Sequence, residues 1–315
     1  MNRLSTRLAL SVALVGVTSI AFLAKPSAAP GGLPAEVAAL AARVDTLETA
    51  VAFQQRAIAE LRGQVAELHG ANEGLSKKLK CVSSISTDKD VIFEGCNVHV
   101  RNGMGQTPTT NGYGNLIVGY NKNEVATRTG SHNFIVGDLH EYTSYGGIVS
   151  GTINNLKAPN SVILGGGENE THNTGGTILG ASKATTETGA VIVGGTRGFA
   201  SVDAHFAVVI GGNENQATAS NAVAVGGAMN VAAGGNSLAA GGSENQVTGN
   251  EATICGGSQN TSTGLDASIS GGSHNAANGR ASSVSGGSHN TADGDYSSIL
   301  GGNTVTVSTA YGTSP

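Results

Sequence analysis

Three cysteines are the residues of this sequence whose chemistry is easiest to anticipate. Cys81 and Cys96 bracket a short polar stretch, and outside the reducing cytoplasm we expect a disulfide between them; two unpaired thiols or pairing between chains are the alternatives. Such a bridge would stabilise the fold by about 3 kcal/mol. Cys255 precedes Gly256 in an apolar run. We interpret it as a small core residue rather than a nucleophile.

Two histidines, His274 and His289, recur in the same five-residue context, Gly-Gly-Ser-His-Asn. If the segments that contain them stack, the two imidazoles should lie one above the other. Stacked imidazoles could bind a metal ion, but histidines in surface turns are common and no set of acidic residues accompanies this pair. The interpretation is therefore no metal site.

The sequence lacks the short motifs of common catalytic and nucleotide sites, namely the Gly-x-x-x-x-Gly-Lys phosphate loop, the His-Glu-x-x-His helix and the Gly-x-Ser-x-Gly elbow. Charged residues make up 12% of the chain and the net charge is -5, which argues against nucleic-acid binding. We predict a protein that is not an enzyme, with no catalytic or cofactor-binding residues and no cofactor.

The composition argues against an ordinary globular core, because the 315 residues include 48 glycines and no tryptophan, and only 4% are aromatic. Such a chain can still bury apolar surface by stacking many small, similar layers. The glycines do not recur at every third position and there are only 6 prolines, which excludes collagen.

Residues 1–29 have the pattern of a bacterial export signal. Arg3 and Arg7 precede an apolar run from Leu8 to Ala24, and small residues at 27–29 follow it. An uncleaved N-terminal membrane anchor is the alternative, because the run approaches the length that spans a bilayer. Either interpretation predicts that most of the chain is secreted, displayed at the cell surface or periplasmic.

Residues 33–80 are predicted to form an α-helical coiled-coil stalk, because apolar residues alternate at steps of four and three. A helix packed on its own domain is the alternative. β-Branched residues at the first of the two core positions, with Leu at the second, favour a coiled coil of two helices. These core positions are Val37, Val44, Val51, Ile58, Val65, Asn72 and Leu79, and Leu33, Leu40, Leu47, Gln54, Leu61, Leu68 and Leu75.

A neck or connector is expected at 81–112, a β-roll at 113–304 and a C-terminal tail at 305–315. The roll is predicted from a short apolar run that ends in Gly and recurs every 15 residues from Gly211 to Gly301, as in a solenoid with one turn per repeat. We expect these glycines to take positive φ angles at turns. They include Gly165, Gly194, Gly211, Gly226, Gly241, Gly256, Gly271, Gly286 and Gly301.

Two positions before each Gly lies an aliphatic residue, and these side chains should stack into one core ladder. The ladder comprises Ile117, Ile135, Val149, Ile163, Ile178, Ile192, Val209, Ile254, Ile269, Val284 and Ile299. Four residues after the Gly, Asn recurs, for example at Asn155, Asn230 and Asn275. Stacked amides can hydrogen-bond along the axis and tolerate left-handed turns.

The residues that flank the ladder are also apolar and must point to the opposite face of the strand. A monomer would expose this stripe, so we predict that it is buried between identical subunits. Which face is core and which is interface stays open, although the more regular ladder is the better candidate for the core. The candidate interface comprises Val162, Leu164, Val191, Val193, Val208, Ile210, Val223 and Val225.

Aromatic residues cluster at the start of the roll. They are expected to cap the end of the core, with a sugar-stacking or protein-contact patch as the alternative. They are Tyr113, Tyr120, Phe134, Tyr142 and Tyr145.

Segments such as Asn221-Ala-Val-Ala-Val-Gly226 and Ala267-Ser-Ile-Ser-Gly-Gly272, at this spacing, resemble the head repeats of trimeric autotransporter adhesins, the YadA-like left-handed parallel β-roll. The resemblance covers about residues 111–304. It implies three identical chains around one axis and a repetitive surface for attachment to cell-surface or matrix ligands. The family's C-terminal membrane barrel has no counterpart here, and the stalk precedes the head.

Together these features predict a non-enzymatic, all-β solenoid of about 14–15-residue coils behind a coiled coil. Its expected role is that of an extracytoplasmic structural or adhesive rod. An ice- or crystal-binding solenoid and a β-helix polysaccharide-active enzyme are the alternatives. The serines of the last coils suggest the first of these alternatives.

Overall fold

The computed structural model describes residues 33–84, 90–122, 127–201 and 205–315. The predicted signal at 1–29 lies outside these residues. The chain divides into two compact units, residues 1–98 and 99–315.

Among the described residues of the first unit, the long helix α1 (Leu33–Lys78) lies over the predicted stalk. Its apolar seam faces solvent from Val37 to Leu75, with Val44 47% and Leu47 44% exposed. A partner helix that would cover this seam stays a prediction. Within the described part of the chain, no helix combines the length and apolarity needed to cross a membrane.

After the helix, β1 (Val82–Ser84) and β2 (Val91–Phe93) pair as an antiparallel hairpin. A disulfide joins Cys81 to Cys96 at the base of this hairpin, with the two Cα atoms 5.9 Å apart. The pairing expected from the sequence is therefore present within one chain, at a Cα separation that suits a disulfide.

The second unit is a parallel β-solenoid in which each coil contributes a strand to one or both of two sheets. Among the described residues the first sheet has 14 strands: β3 (Leu116–Val118), β4 (Phe134–Asp138), β6 (Ile148–Thr152), β8 (Val162–Leu164), β10 (Thr177–Leu179), β12 (Val191–Val193), β14 (Val208–Ile210), β16 (Val223–Val225), β18 (Leu238–Ala240), β20 (Thr253–Ile254), β22 (Ser268–Ile269), β24 (Ser283–Val284), β26 (Ser298–Ile299) and β28 (Thr313–Ser314). The second sheet has 12 strands over the same described ranges: β5 (Glu141–Tyr142), β7 (Asn155–Leu156), β9 (Glu170–Thr171), β11 (Thr185–Thr186), β13 (Phe199–Ala200), β15 (Gln216–Ala217), β17 (Val231–Ala232), β19 (Gln246–Val247), β21 (Thr261–Ser262), β23 (Ala276–Ala277), β25 (Thr291–Ala292) and β27 (Thr306–Val307).

The register places equivalent residues of successive coils opposite one another, so that Ile192 pairs with Val209 and Val209 with Ala224. Because neighbouring parallel strands lie about 4.8 Å apart, equal side chains form continuous columns along the solenoid. The core lies between the two sheets, with aliphatic side chains from the first sheet and smaller ones, such as Ala217 and Ala232, from the second. The alternation of large and small residues across the coil fills a narrow interior.

The predicted ladder is this core. Ten of its members are at most 1% exposed: Ile135, Val149, Ile163, Ile178, Ile192, Val209, Ile254, Ile269, Val284 and Ile299. Ile117 differs, because its side chain is 44% exposed. It belongs to β3, the end strand of its sheet, and within the described residues no strand of the second sheet lies in the same coil.

The roll also continues beyond the boundary expected at residue 304. Thr306 pairs with Thr291, and Thr313 pairs with Ser298. Residues 305–315 therefore form a further coil rather than a tail. The aliphatic ladder changes to Ser314 at this point, and this change hid the coil from the sequence pattern.

Positive φ angles occur at regular corners, but only partly where the sequence placed them. The predicted turn glycines take positive φ at Gly165, Gly194, Gly211, Gly226 and Gly241. The expectation is wrong for the other four, Gly256, Gly271, Gly286 and Gly301, where φ is not positive. In the coils up to Gly241 the glycine that follows is left-handed as well, for example Gly212 and Gly227, whereas in the last four coils the second glycine of the pair alone is left-handed, at Gly257, Gly272, Gly287 and Gly302. Glycine takes either conformation without a steric penalty.

Candidate functional surfaces

The outward face of the first sheet carries the predicted interface residues. Within each three-residue strand the middle residue points into the core, and its two neighbours point outward. The regular ladder is therefore the interior, which settles the choice that the sequence left open. All eight candidate residues lie in one outward band, which we call the outer stripe: Val162, Leu164, Val191, Val193, Val208, Ile210, Val223 and Val225.

The outer stripe is accessible in the single chain. Leu164, Val193 and Ile210 are 45%, 38% and 42% exposed, and the other five members are partly exposed. An aliphatic band that continues over successive coils is larger than the scattered apolar residues of a typical soluble surface.

The same face becomes polar in the last coils, where Ser268, Ser283 and Ser298 occupy one outward position in turn. The Ser283 hydroxyl donates a hydrogen bond to the Ser298 hydroxyl at 3.1 Å. Cys255 lies between the aliphatic and the hydroxyl parts and is exposed. The interpretation of Cys255 as a core residue is therefore wrong. It follows the buried Ile254 in the chain and so points to the opposite face.

A column of buried asparagines runs inside one corner of the coil. Each side-chain Oδ1 accepts the backbone N–H of the equivalent residue in the next coil, and each Nδ2 donates to carbonyl groups at the glycine corner. For Asn245, the Oδ1 accepts from Asn260 at 3.1 Å, and the Nδ2 donates to Gly241 at 3.2 Å and to Gly257 at 3.0 Å. The asparagine ladder comprises Asn154, Asn169, Asn215, Asn230, Asn245, Asn260, Asn275 and Asn290.

The amides hydrogen-bond along the axis as expected, but they are not the left-handed residues. The positive φ falls one residue earlier, as at Met229 (55°) and Glu244 (57°). The sequence had also assigned Asn155 to this position, whereas the structure places the buried Asn154 there. The corner that follows Gly151 is one residue shorter than the other corners. A count of four residues from Gly151 therefore passes Asn154 and reaches Asn155.

His140 continues the asparagine ladder at its N-terminal end and is fully buried. Its Nδ1 accepts the backbone N–H of Asn154 at 3.3 Å, and its Nε2 donates to the carbonyl of Val136 at 3.1 Å. Burial lowers the pKa of His140 from its ordinary value, while these backbone bonds and the charge of Asp138 oppose the shift. The neutral imidazole thus takes both the donor and the acceptor role of an asparagine amide.

The residues with positive φ that precede the ladder form an exposed row, which we call the corner row. Its members are Glu168, Lys183, Arg197, Glu214, Met229, Glu244, Gln259, His274, His289 and Thr304. Within it His274 and His289 stack as the sequence predicted, with ring centroids 4.5 Å apart and planes 4° from parallel. No cluster of three or more potential metal ligands occurs within the described ranges.

The aromatic residues at the start of the roll do not act as one cap. Tyr142 is buried in the core, but Tyr113 and Tyr120 are 72% and 89% exposed. Phe134 lies on the outward face of its strand, and Tyr145 is half-buried. The expected cap is therefore wrong for Tyr113 and Tyr120, which contribute no core packing.

An aromatic stack that the sequence analysis missed lies at the other end of the roll. Tyr296 and Tyr311 stack with ring centroids 5.0 Å apart, and the Arg280 guanidinium lies 6.0 Å from the Tyr296 ring centre. The 15-residue spacing of the two tyrosines was the signal that could have revealed this contact.

A scan against models of known protein families finds no match for this chain. A search of curated proteins likewise finds no significant match.

Proposed function

We propose that this protein is a non-enzymatic structural or adhesive rod that acts outside the cytoplasm as a trimer. Three parallel rolls, each wound with a left-handed sense, associate through their outer stripes. The helices α1 of the three chains form a coiled-coil stalk. The outward surfaces of the rolls then present one repeated pattern to cell-surface or matrix ligands.

The outer stripe is the observation that carries this proposal. Valine, isoleucine and leucine are expensive to leave in water, at about 25 cal/mol for each Å² of apolar surface. The interior requires only the middle residue of each strand, so that packing within one chain does not explain the aliphatic neighbours. Burial against the same stripe of an identical chain does explain them.

The exposed seam of α1 supports the same assembly independently. Its apolar positions repeat with the heptad spacing that makes one face of a helix match another helix. Three strands are preferred over two because the roll resembles a trimeric head and offers the larger surface for burial. In the single chain Leu61 is 47% exposed, so the seam of α1 is not buried within one chain.

The predicted export signal and the repeated coils of the second unit support a role in attachment. Repeated coils give a long, uniform surface rather than a deep cleft, and such surfaces bind through many weak, similar contacts. The predicted signal at 1–29 brings the roll to the compartment where such ligands and the disulfide Cys81–Cys96 are found.

Binding to ice or to another crystal surface is the second candidate function. The hydroxyl rows of the last coils favour it. Ser268, Ser283 and Ser298 repeat at the coil spacing on the outward face of the first sheet. Thermal hysteresis, or its absence, in a solution of the purified protein distinguishes this candidate from an adhesive rod.

The assembly is tested by light scattering on the purified protein and on two matched variants. The wild-type protein should have the mass of three chains. Ile210→Glu places a charge in the outer stripe and should give monomers with an unchanged circular dichroism spectrum. Ser285→Glu makes the same change on the same face in the hydroxyl part and should leave the trimer intact. A wild-type monomer, or equal behaviour of the two variants, contradicts the proposal.

Export is tested separately by fusing residues 1–29 to a reporter enzyme that is active only in the periplasm. Activity with the fusion, lost when Arg3 and Arg7 are replaced by Glu, is the expected result. A cytoplasmic reporter would contradict the proposed location without affecting the oligomer argument.

A further inference from the structure

The corner row consists largely of complementary pairs. Lys183 lies 3.5 Å from Glu168, and Arg197 lies 2.6 Å from Glu214. In the next pair of this kind, the amide of Gln259 donates to Glu244 at 2.9 Å. Each of these pairs matches a donor with an acceptor, or a cation with an anion, across two coils.

The histidine pair breaks this pattern, because His274 and His289 are alike. Both side chains are exposed, and their rings lie parallel at 4.5 Å. Two imidazoles offer no complementary charge to each other. A cation bound at the edge of the stack by one nitrogen of each ring would supply the complement that the other pairs contain.

The geometry around His289 favours one nitrogen as a metal ligand. The Ser288 hydroxyl lies 2.8 Å from the His289 Nδ1, and the Ser273 hydroxyl lies 3.3 Å from that of Ser288. When Nδ1 carries the proton and donates it to Ser288, the Nε2 lone pair is free. A hydrogen bond of this kind to the second ring nitrogen is typical of metal-binding histidines.

We infer that His274 and His289 form a two-histidine site for a divalent transition-metal ion such as Zn²⁺. Zinc–nitrogen bonds of about 2.1 Å require the two nitrogens to lie about 3.4 Å apart. The ring centroids of the two exposed side chains lie 4.5 Å apart, so that rotation of the side chains can bring one nitrogen of each ring to this separation. Water fills the remaining coordination positions, because no third protein ligand accompanies the pair within the described residues.

The site is tested by titrating the full chain with Zn²⁺ in a calorimeter and comparing single variants. His274→Gln and His289→Gln are conservative, because Gln259 already occupies the same left-handed position one coil earlier. Each variant should lower the affinity by at least about tenfold, the smallest effect usual even for residues that only support a ligand. His69→Gln, which changes a histidine in the helix, is the matched control and should leave this component unchanged.

A gain-of-function variant sharpens the test. Gln259→His adds a third imidazole to the row, one coil before His274, and should raise the affinity for Zn²⁺. Equal affinities in the wild type and both glutamine variants would overturn the proposal. A loss with only one of the two variants would also overturn it, since that result indicates a single histidine rather than a pair.

Discussion

The coils from 134 to 240 and those from 253 to 314 share one interior but differ on their outer face. Ile192 and Ile269 occupy the same buried column, and the asparagine ladder occurs in both regions, although Ala184 and Gly198 take its position in two coils of the first. On the outward side, Val191 and Val193 in the first region correspond to Ser268 and Ser270 in the second.

The apolar pattern of the sequence reflects both the interior and the outer face of the roll, and this difference separates the two. Coil stacking constrains the interior, so the interior stays constant along the roll. It does not constrain the outer face, because serine serves there as well as valine. The aliphatic residues of the first region therefore call for a separate explanation, and the proposed association with identical chains would supply it.

The largest effect is expected from a charge in the shared interior. Ile192→Asp and Ile269→Asp each place a carboxylate at a fully buried position with no partner, at a cost of several kcal/mol. Neither variant should show a cooperative unfolding transition when circular dichroism is recorded during heating. Val193→Asp, next to the first site but on the outer face, is the control and should keep its strand signal.

A smaller and equal effect in the two regions is expected from the asparagine ladder. Asn230→Ala and Asn275→Ala each leave the buried N–H of the next asparagine without its acceptor and remove one donor from each of two glycine carbonyls. Each substitution should lower the free energy of unfolding by about 2 kcal/mol in denaturant titrations. Gln246→Ala, at an exposed position, should change little, and unequal costs at the two asparagines would show that the ladder is not uniform.

The smallest effect distinguishes the start of the ladder from the rest. Because burial lowers the pKa of His140, the unfolded chain binds its proton at a higher pH than the folded chain does. The free energy of unfolding should therefore fall as the pH drops below about 6.5 and stay constant above it, as far as this residue is concerned.

His140→Asn is the matched variant, since asparagine serves the same position in the following coils. It keeps a donor and an acceptor but does not titrate, so the loss of stability between about pH 7 and pH 5 should become smaller. Identical pH profiles for the variant and the wild type would show that His140 remains neutral, or is equally protonated, in both states.

The sequence predicts the core of this fold well, because the interior column repeats with a fixed spacing. The sequence pattern misses the last coil, which contains β27 and β28, because Ser314 stands where isoleucine is usual. The left-handed residues are missed because Met229 and Glu244 carry no turn signature; their φ angles are imposed by the closure of the coil.

The functional residues also divide into those that the sequence predicts and those that it misses. The outer stripe and the histidine stack follow from spacing alone, since residues 15 apart meet in space. Cys255 was misassigned because an apolar run does not reveal which residue points inward. His140 escaped notice because only hydrogen bonds to Asn154 and Val136 identify it as a substitute for asparagine.

The most direct test of the outer face as the subunit interface is cross-linking at Cys255. This thiol is exposed on that face, between the aliphatic and hydroxyl parts. In a parallel, in-register trimer, the three copies of Cys255 lie at the same height near the common axis. A short bifunctional thiol reagent should therefore join two chains, giving a covalent dimer on a denaturing gel that Cys255→Ser abolishes. Only monomers on that gel, from a protein whose native mass is three chains, would contradict this account.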